Sequence, residues 1–385
     1  MSFDLPTWVV PYALWSGHRA PANWPANDGL PNLRQWLRNV QRTSVIHEAS
    51  HGALPTSLAM PHEAAQAKAL GWDFADGCVP WAANAAAEQH LSADKSAWAF
   101  VTLCNWHVSN GQVTMGDPAH LQIDADTDAQ LFKSMQNFFA QDGIALYPSK
   151  PGQWLAQSDV FANLPTASLD RVIGRNIDPW LVGGTTPTGP ATLLRRLQNE
   201  MQMLLYTHDV NANRGLAINS LLWHGAGALL TNTETSTHTK TSTHTKTSTH
   251  TKTSAAKENP TNLSRSASLQ TFNAAQLKVV SDLRKASLQQ DWQGWMQAWT
   301  LLDQTLFSDL LERAHQGDEM QLILCGEYER HIYETQPASA WSRIQSIVGW
   351  QDLWQSNALL QSIAKRFGAT ALHERLVVPP RSEDI

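Results

Sequence analysis

His47-Glu48-Ala49-Ser50-His51 satisfies the zinc-peptidase pattern H-E-x-x-H. On a helix that spacing puts two imidazoles on one face as metal ligands, with the glutamate as base for a metal-bound water. Gly52 follows the second histidine at once and Pro55 comes soon after, so a helix would end on the motif. A polar loop that happens to hold two histidines explains the same residues. His47, Glu48 and His51 are the candidate zinc set, and a zinc hydrolase is the activity they would support.

A second concentration of polar residues surrounds a predicted helix and the strand that follows it. Arg195, Arg196, Asn199 and Glu200 share the polar side of the helix, and His208 closes it, where an imidazolium would complement the helix dipole. Together they read as an anion-binding face, with a plain solvated face as the ordinary alternative. The run INSLLWHGAG (Ile218–Gly227) reads as a buried strand that ends in a G-x-G turn. Ligands of open α/β sheets sit at strand carboxyl ends, so Asn219, Ser220, Trp223 and His224 are expected to line a pocket there. Cys104 and His107 have metal-ligand spacing but lack a second pair. Asp117, His120, Asp124, Asp126 and Asp128 form an acidic stretch before a helix, which suits either a phosphate-handling metal or helix capping.

These residues need elements to hold them. Helical spacing of apolar residues appears over Pro31–Val40, His62–Leu70 (closed by Gly71), Ala191–Thr207 and Trp292–Ala314. Thr127 and Gln130 have the spacing of a capping box ahead of Leu131, Met135, Phe138 and Phe139. Phe272–Ala286 also reads as helix. Ala97–Cys104 and Met320–Cys325 are short apolar runs typical of buried strands, Ile144–Tyr147 is a shorter one, and Asn110-Gly111 marks a tight turn. Strands alternating with longer helices predict an α/β layered fold. Thr-Ser-Thr-His-Thr-Lys occurs three times over 235–252, with no apolar residue to bury. The expected organisation is an N-terminal α/β part over 1–230, a disordered repeat linker over 231–260, a C-terminal α/β part over 261–350 that completes the fold, and a helical tail over 351–385.

Of the 385 residues, 42% are hydrophobic and 16% charged, enough apolar material for a sizeable core. The formal charge of −6, with lysine and arginine dispersed, argues against nucleic acid as a partner. The longest apolar stretch, Gly215–Leu230, is interrupted by Asn219, Ser220 and His224, so no membrane span is expected. No basic n-region opens the chain, and three widely spaced cysteines offer no disulfide framework; the expected location is the cytoplasm. Tryptophan, at 17, outnumbers the 5 tyrosines and 10 phenylalanines together. Trp36, Trp98, Trp292, Trp295 and Trp299 fall on apolar faces and are expected in the core. Trp106, Trp180 and Trp223 lie near strand ends or turns, where a ligand would sit.

The runs LPTASLDRVIGRNIDPWL (Leu164–Leu181), LLRRLQNEMQMLLYTHDVNANR (Leu193–Arg214) and INSLLWHGAGAL (Ile218–Leu229) resemble a proteobacterial family labelled RpfE-type regulatory protein. LPNLRQWL (Leu30–Leu37), PHEAAQAKALGW (Pro61–Trp72), LCNWHVSNGQVTMGDP (Leu103–Pro118) and LILCGE (Leu322–Glu327) fit the same pattern. Some members of that family carry the name cofactor-independent phosphoglycerate mutase. The resemblance implies a layered α/β/α sheet on a degenerate alkaline phosphatase-superfamily scaffold. Mutases of that superfamily bind two metals through Asp and His, and their last conserved strand ends in D-H-G. Here the comparable strand ends Cys325-Gly326-Glu327, and Asp28-Gly29 lacks the second glycine of the opening metal motif. The expectation is a regulatory or ligand-sensing protein without a two-metal phosphomutase site or favoured cofactor, whose partner is a small molecule or protein. The alternatives are a phosphoglycerate mutase-like phosphotransferase with manganese and the zinc hydrolase.

Overall fold

The computed structural model describes residues 5–15, 29–38, 40–47, 50–51, 54–55, 57–91, 96–109, 111–229 and 276–335. Glu48, Asp28, the 231–260 repeat and the 351–385 tail lie outside the described residues.

The strands of the first half are β1 (Thr7–Val10), β2 (Val40–His47), β3 (Ser50–His51), β4 (Leu54–Pro55), β5 (Ala97–Cys104), β6 (Trp106–Ser109) and β7 (Gln112–Met115). They are followed by β8 (Ala145–Lys150), β9 (Gln153–Gln157), β10 (Ser220–Ala228), β11 (Leu277–Val279), β12 (Gln321–Cys325) and β13 (Glu329–Thr335). The helices are α1 (Pro31–Arg38), α2 (Pro61–Ala69), α3 (Trp81–Glu88), α4 (Ala125–Gln141) and α5 (Leu169–Val172). Beyond them come α6 (Pro190–Thr207), α7 (Arg284–Leu288), α8 (Trp292–Leu302) and α9 (Ser308–Gln316). Among the described residues no helix is long and apolar enough to cross a membrane.

The chain adopts a layered α/β architecture, built on two main sheets rather than one. The first has the order β11-β1-β12-β13-β2, with β1 parallel to both β11 and β12. Side chains alternate across it, as a pleat demands. Trp8, Val10, Leu322 and Leu324 join the core of α1, α8 and α9, where Trp36, Trp295 and Trp299 are buried. Val9, Ile323 and Cys325 pack on Ala65 of α2 instead. The second sheet, β10-β5-β9-β8, is antiparallel throughout. Val101, Leu103, Trp154 and Trp223 face α4 and α6, while Trp98 and Leu155 cover the alanines of α3.

Local chemistry sets the element ends. Pro190 opens α6 after Gly189, whose φ of +56° is left-handed. The capping of α4 differs from the expected Thr127 box: Asp124 is the N-cap, accepting from Thr127 N at 2.7 Å, so the helix starts one turn earlier. A single π turn over Asp303–Phe307 joins α8 to α9. Its Asp303 carboxylate accepts Leu33 N at 2.7 Å and Asn32 N at 3.2 Å, capping α1 from 270 residues away.

Two elements depart further from expectation. His224-Gly225-Ala226-Gly227 is no terminal turn; it lies within β10, at a bulge opposite β5. A Cβ on Gly225 would stand 3.1 Å from the Phe100 ring, and one on Gly227 would stand 2.9 Å from Pro80 Cβ. The glycines let the start of α3 approach the bulged strand. The described part of Phe272–Ala286 is a strand, β11, followed by the start of α7, because pairing with β1 decides the conformation of Leu277–Val279.

Candidate functional site

The parallel strands β1, β11 and β12 run in one direction, so their carboxyl ends open at a common place, where ligands of α/β sheets characteristically bind. Tyr12 follows β1, Arg284 follows β11, and Glu327 follows β12. The first turn of α2 delivers His62 and Glu63 to the same place, and the segment around α5 delivers Ser168, Asp170, Arg171 and Arg175.

Asp170 is the hub. The Tyr12 phenol donates to its Oδ2 at 2.9 Å, and Arg284 Nε lies 3.0 Å and 2.9 Å from its two oxygens. Arg284 Nη2 also bonds Oδ1. Burial pushes the Asp170 carboxyl up, but the bonds and charge of Arg284 outweigh it and hold the group below the ordinary carboxylate range. His62 Nε2 lies 3.7 Å from Asp170 Oδ2, and its ring sits 5.5 Å from that of Tyr12. Burial lowers this imidazole to about 4, so it is neutral at pH 7. Burial raises the Tyr12 phenol well above its usual value, and the Asp170 charge adds to the effect.

Two arginines hold the surrounding backbone. Arg171 is fully buried and donates to the carbonyls of Glu327, at 3.1 Å, and Ala59, at 2.7 Å. Its guanidinium carbon stands 6.0 Å over the Trp180 ring. Arg175 gathers the carbonyls of Asp170, Arg171 and Ile173 and pairs with Glu327 Oε1 at 2.5 Å. Glu63 accepts from Ser168 Oγ at 2.7 Å and from Met60 N at 3.3 Å. Burial lifts its carboxyl to about 7, against the pull of the Ser168 bond. One group in the cluster thus titrates at neutral pH.

The donor set answers the question of a divalent metal. Both oxygens of Asp170 are engaged by Arg284 and Tyr12, and Glu327 is engaged by Arg175. A cation placed among them would face three guanidinium groups, so manganese or zinc does not fit. An anion does fit. The Arg284 side chain is 32% exposed, and among the described residues no hydrogen bond is made by its Nη1.

The residues expected from sequence do not converge. Arg196 is exposed and pairs with Asp142, at 2.6 Å, and with Glu200, at 3.2 Å; Asn199 is exposed beside them. Arg195 is half-buried on the same helix. His208 bonds Ser134 Oγ at 2.8 Å and accepts Val210 N at 3.3 Å, a capping role. Asn219 exchanges two bonds with the Trp106 backbone, at 2.7 Å and 2.9 Å. Ser220 is buried and accepts from Gln202 Nε2 at 2.9 Å. Trp223 is a core residue packed between Phe139 and Phe161. His224 is also internal: its Nε2 lies 2.8 Å from Thr102 Oγ1, its ring stacks on Phe100, and burial lowers it to about 3.

The two histidines of the zinc motif do not lie on a helix. His47 ends β2 and pairs with Glu329 at 2.7 Å, while His51 lies on β3, so the i, i+4 face the chemistry needs is not formed. The acidic stretch is structural: Asp117 and Asp124 cap helical turns, and Asp128 accepts Gly152 N and Trp154 Nε1. Cys104 is buried and its thiol is pushed up by burial, whereas His107 is exposed on β6.

Sequence reasoning missed Tyr12, His62, Glu63, Ser168, Asp170, Arg171, Arg175, Arg284 and Glu327 as a group. A signal existed: the runs Pro61–Trp72, Leu164–Leu181 and Leu322–Glu327 supply seven of the nine.

No protein-family model matches the sequence, and no curated protein matches it. Among solved structures, the chain is similar to the cofactor-independent phosphoglycerate mutase from Thermoplasma acidophilum DSM 1728, at 13% identity and a TM-score of 0.28. That similarity covers 85% of this chain and 89% of that one. It is also similar to the PH0037 protein from Pyrococcus horikoshii, at 11% identity and a TM-score of 0.37, over 86% of this chain and 87% of that one. Likenesses this distant transfer no residue roles, and neither structure bears the RpfE-type description.

Proposed function

We propose that this chain is a ligand-sensing regulatory protein of the RpfE type, acting in the cytoplasm, which binds a small anionic metabolite at the strand-end cluster. The observation that carries the reading is the arginine-rich donor set: Arg171, Arg175 and Arg284 stand against Asp170 and Glu327, and Arg284 turns an edge to solvent. An anion reaching that edge meets a guanidinium whose orientation is already fixed by Asp170, which lowers the ordering cost of binding. Glu63, titrating near neutrality, adds negative charge as pH rises and weakens the anion.

The test is calorimetric titration of the full chain with 3-phosphoglycerate and with sulfate, at pH 6 and pH 8. Saturable binding that is tighter at pH 6 and weakened by Arg284→Lys supports the reading. Heat-silent titrations with both anions overturn it. Conversion of 3-phosphoglycerate to 2-phosphoglycerate with added manganese would replace it with the phosphotransferase reading.

A further inference from the structure

A cleft of about 600 Å3 opens between the Asp159–Pro165 and Pro179–Pro190 segments, beside the first turn of α6. Its buried walls are apolar, formed by Leu164, Ala167, Trp180 and Leu181, while Asn163 and Thr188 bring polar groups to its exposed edge. That volume falls in the range of small-molecule sites, which combine apolar walls with polar groups at fixed points. The loop wall packs closely against α6. Gly183 has φ +78°, and a Cβ there would stand 2.7 Å from Ala191 Cβ and 2.9 Å from Pro187 Cα, so the loop closes tightly onto α6.

The chemistry of the rim selects the ligand. Asp159 is the one ionisable residue among those lining the cleft. The first N–H groups of α6 are already taken, Ala191 N by Thr188 O and Thr192 N by Gly189 O, so the helix end offers no anion seat. We propose that this cleft binds a small aromatic or alicyclic molecule that carries a hydroxyl or amine and no acid group, with the donor turned toward Asp159. The back wall is shared with the strand-end cluster: Trp180 lies under Arg171, and Ala167 precedes Ser168, whose N–H bonds Leu58 O at 2.9 Å. The cleft therefore shares Trp180, Ala167 and Leu58 with the surroundings of Arg171 and Ser168.

The experiment uses the full chain and N-phenyl-1-naphthylamine, a neutral probe that fluoresces in apolar sites, with 1-naphthol and 1-naphthoate as competitors. Saturable binding is expected, with 1-naphthol competing at least tenfold better than 1-naphthoate. Asn163→Trp, at the exposed mouth, should weaken the probe at least tenfold, while Asn199→Trp on the outer side of α6 leaves it unchanged. Hydrogen exchange with 1-naphthol bound should slow at 159–165 and 179–190. The proposal is overturned by non-saturable binding, by 1-naphthoate competing as well as 1-naphthol, or by protection confined to other segments. Because these probes differ from the anions used at Arg284, either site can fail without the other.

Discussion

Arg284→Met is the sharpest perturbation of the strand-end cluster. Asp170 is 8% exposed, and both its oxygens are held by the Arg284 guanidinium. Without it, a buried carboxylate keeps the Tyr12 phenol as its closest remaining donor among the described residues. Breaking a buried ion pair from one side costs about 3–5 kcal/mol, because the other charge is left uncompensated. The reverse substitution is milder. Asp170→Asn leaves a guanidinium whose side chain is 32% exposed and which water reaches, at a cost of about 1–2 kcal/mol. At roughly 2 °C per kcal/mol for a chain of this size, Arg284→Met lowers Tm by about 6–10 °C and Asp170→Asn by about 2–4 °C. The difference depends on pH. Removing Arg284 raises the folded-state pKa of Asp170, so a protonated carboxyl relieves the variant as pH falls. Its deficit against wild type is therefore full at pH 8 and smaller at pH 5. Scanning calorimetry of the three proteins at both values checks this. Equal deficits in the two variants, or an Arg284→Met deficit that grows in acid, would refute the assignment of Asp170 as the buried anion of the cluster.

Three further outcomes follow from the same geometry. Burial raises Glu63 from an ordinary 4.5 to about 7, so the stability it supports is full below the lower value and is lost as pH climbs through the upper one, a change of about 3 kcal/mol. Glu63→Gln should flatten that part of the Tm-against-pH curve and be the more stable protein at pH 8. Thr102 Oγ1 accepts from Gln153 Nε2 at 2.9 Å and meets His224 Nε2 at 2.8 Å, so Thr102→Val leaves these two buried groups only their mutual contact at 3.4 Å, at a cost of about 1–3 kcal/mol read by urea unfolding. Trp223→Ala should cost about 3–5 kcal/mol as a core truncation, whereas Asn199→Ala on the exposed helix face stays within about 0.5 kcal/mol in the same assay.

The parts of the fold that were legible are those whose apolar period is set locally. Leu194, Leu197, Met201 and Leu205 line the buried side of α6, and Ala97–Cys104 is buried along almost its whole length. The strands β1 and β11 were not legible, since four and three residues carry no period. They exist because Thr7–Val9 pairs with Leu277–Val279, some 270 residues away, and such pairing is a property of the assembled sheet. The glycines of β10 misled for a related reason. A glycine pair after an apolar run marks a turn in most contexts, but here it admits Pro80 and Trp81 against a continuing strand.

The candidate site was hidden by how it is built. Reading along the chain favours polar residues that cluster within one element, and α6 has many: Arg195, Arg196, Asn199 and Glu200. Arg196, Asn199 and Glu200 lie along the outer side of a helix whose other side packs on β10, Arg195 is half-buried, and Arg196 finds its partners in Asp142 and Glu200. The strand-end cluster takes no more than a few residues from each of five segments, and each sits at an element's end, where it breaks the local apolar pattern only slightly. What singles out Asp170 and Arg171 is burial with bonding partners far away along the chain. Arg171 is fully buried inside a run that otherwise reads as a short connection, and its carbonyl partners come from Ala59 and Glu327, more than 100 residues away in either direction. A buried arginine in a connecting segment has to be balanced by something distant. That requirement gives a connecting run such as Leu164–Leu181 a stronger claim on function than the polar face of a long helix.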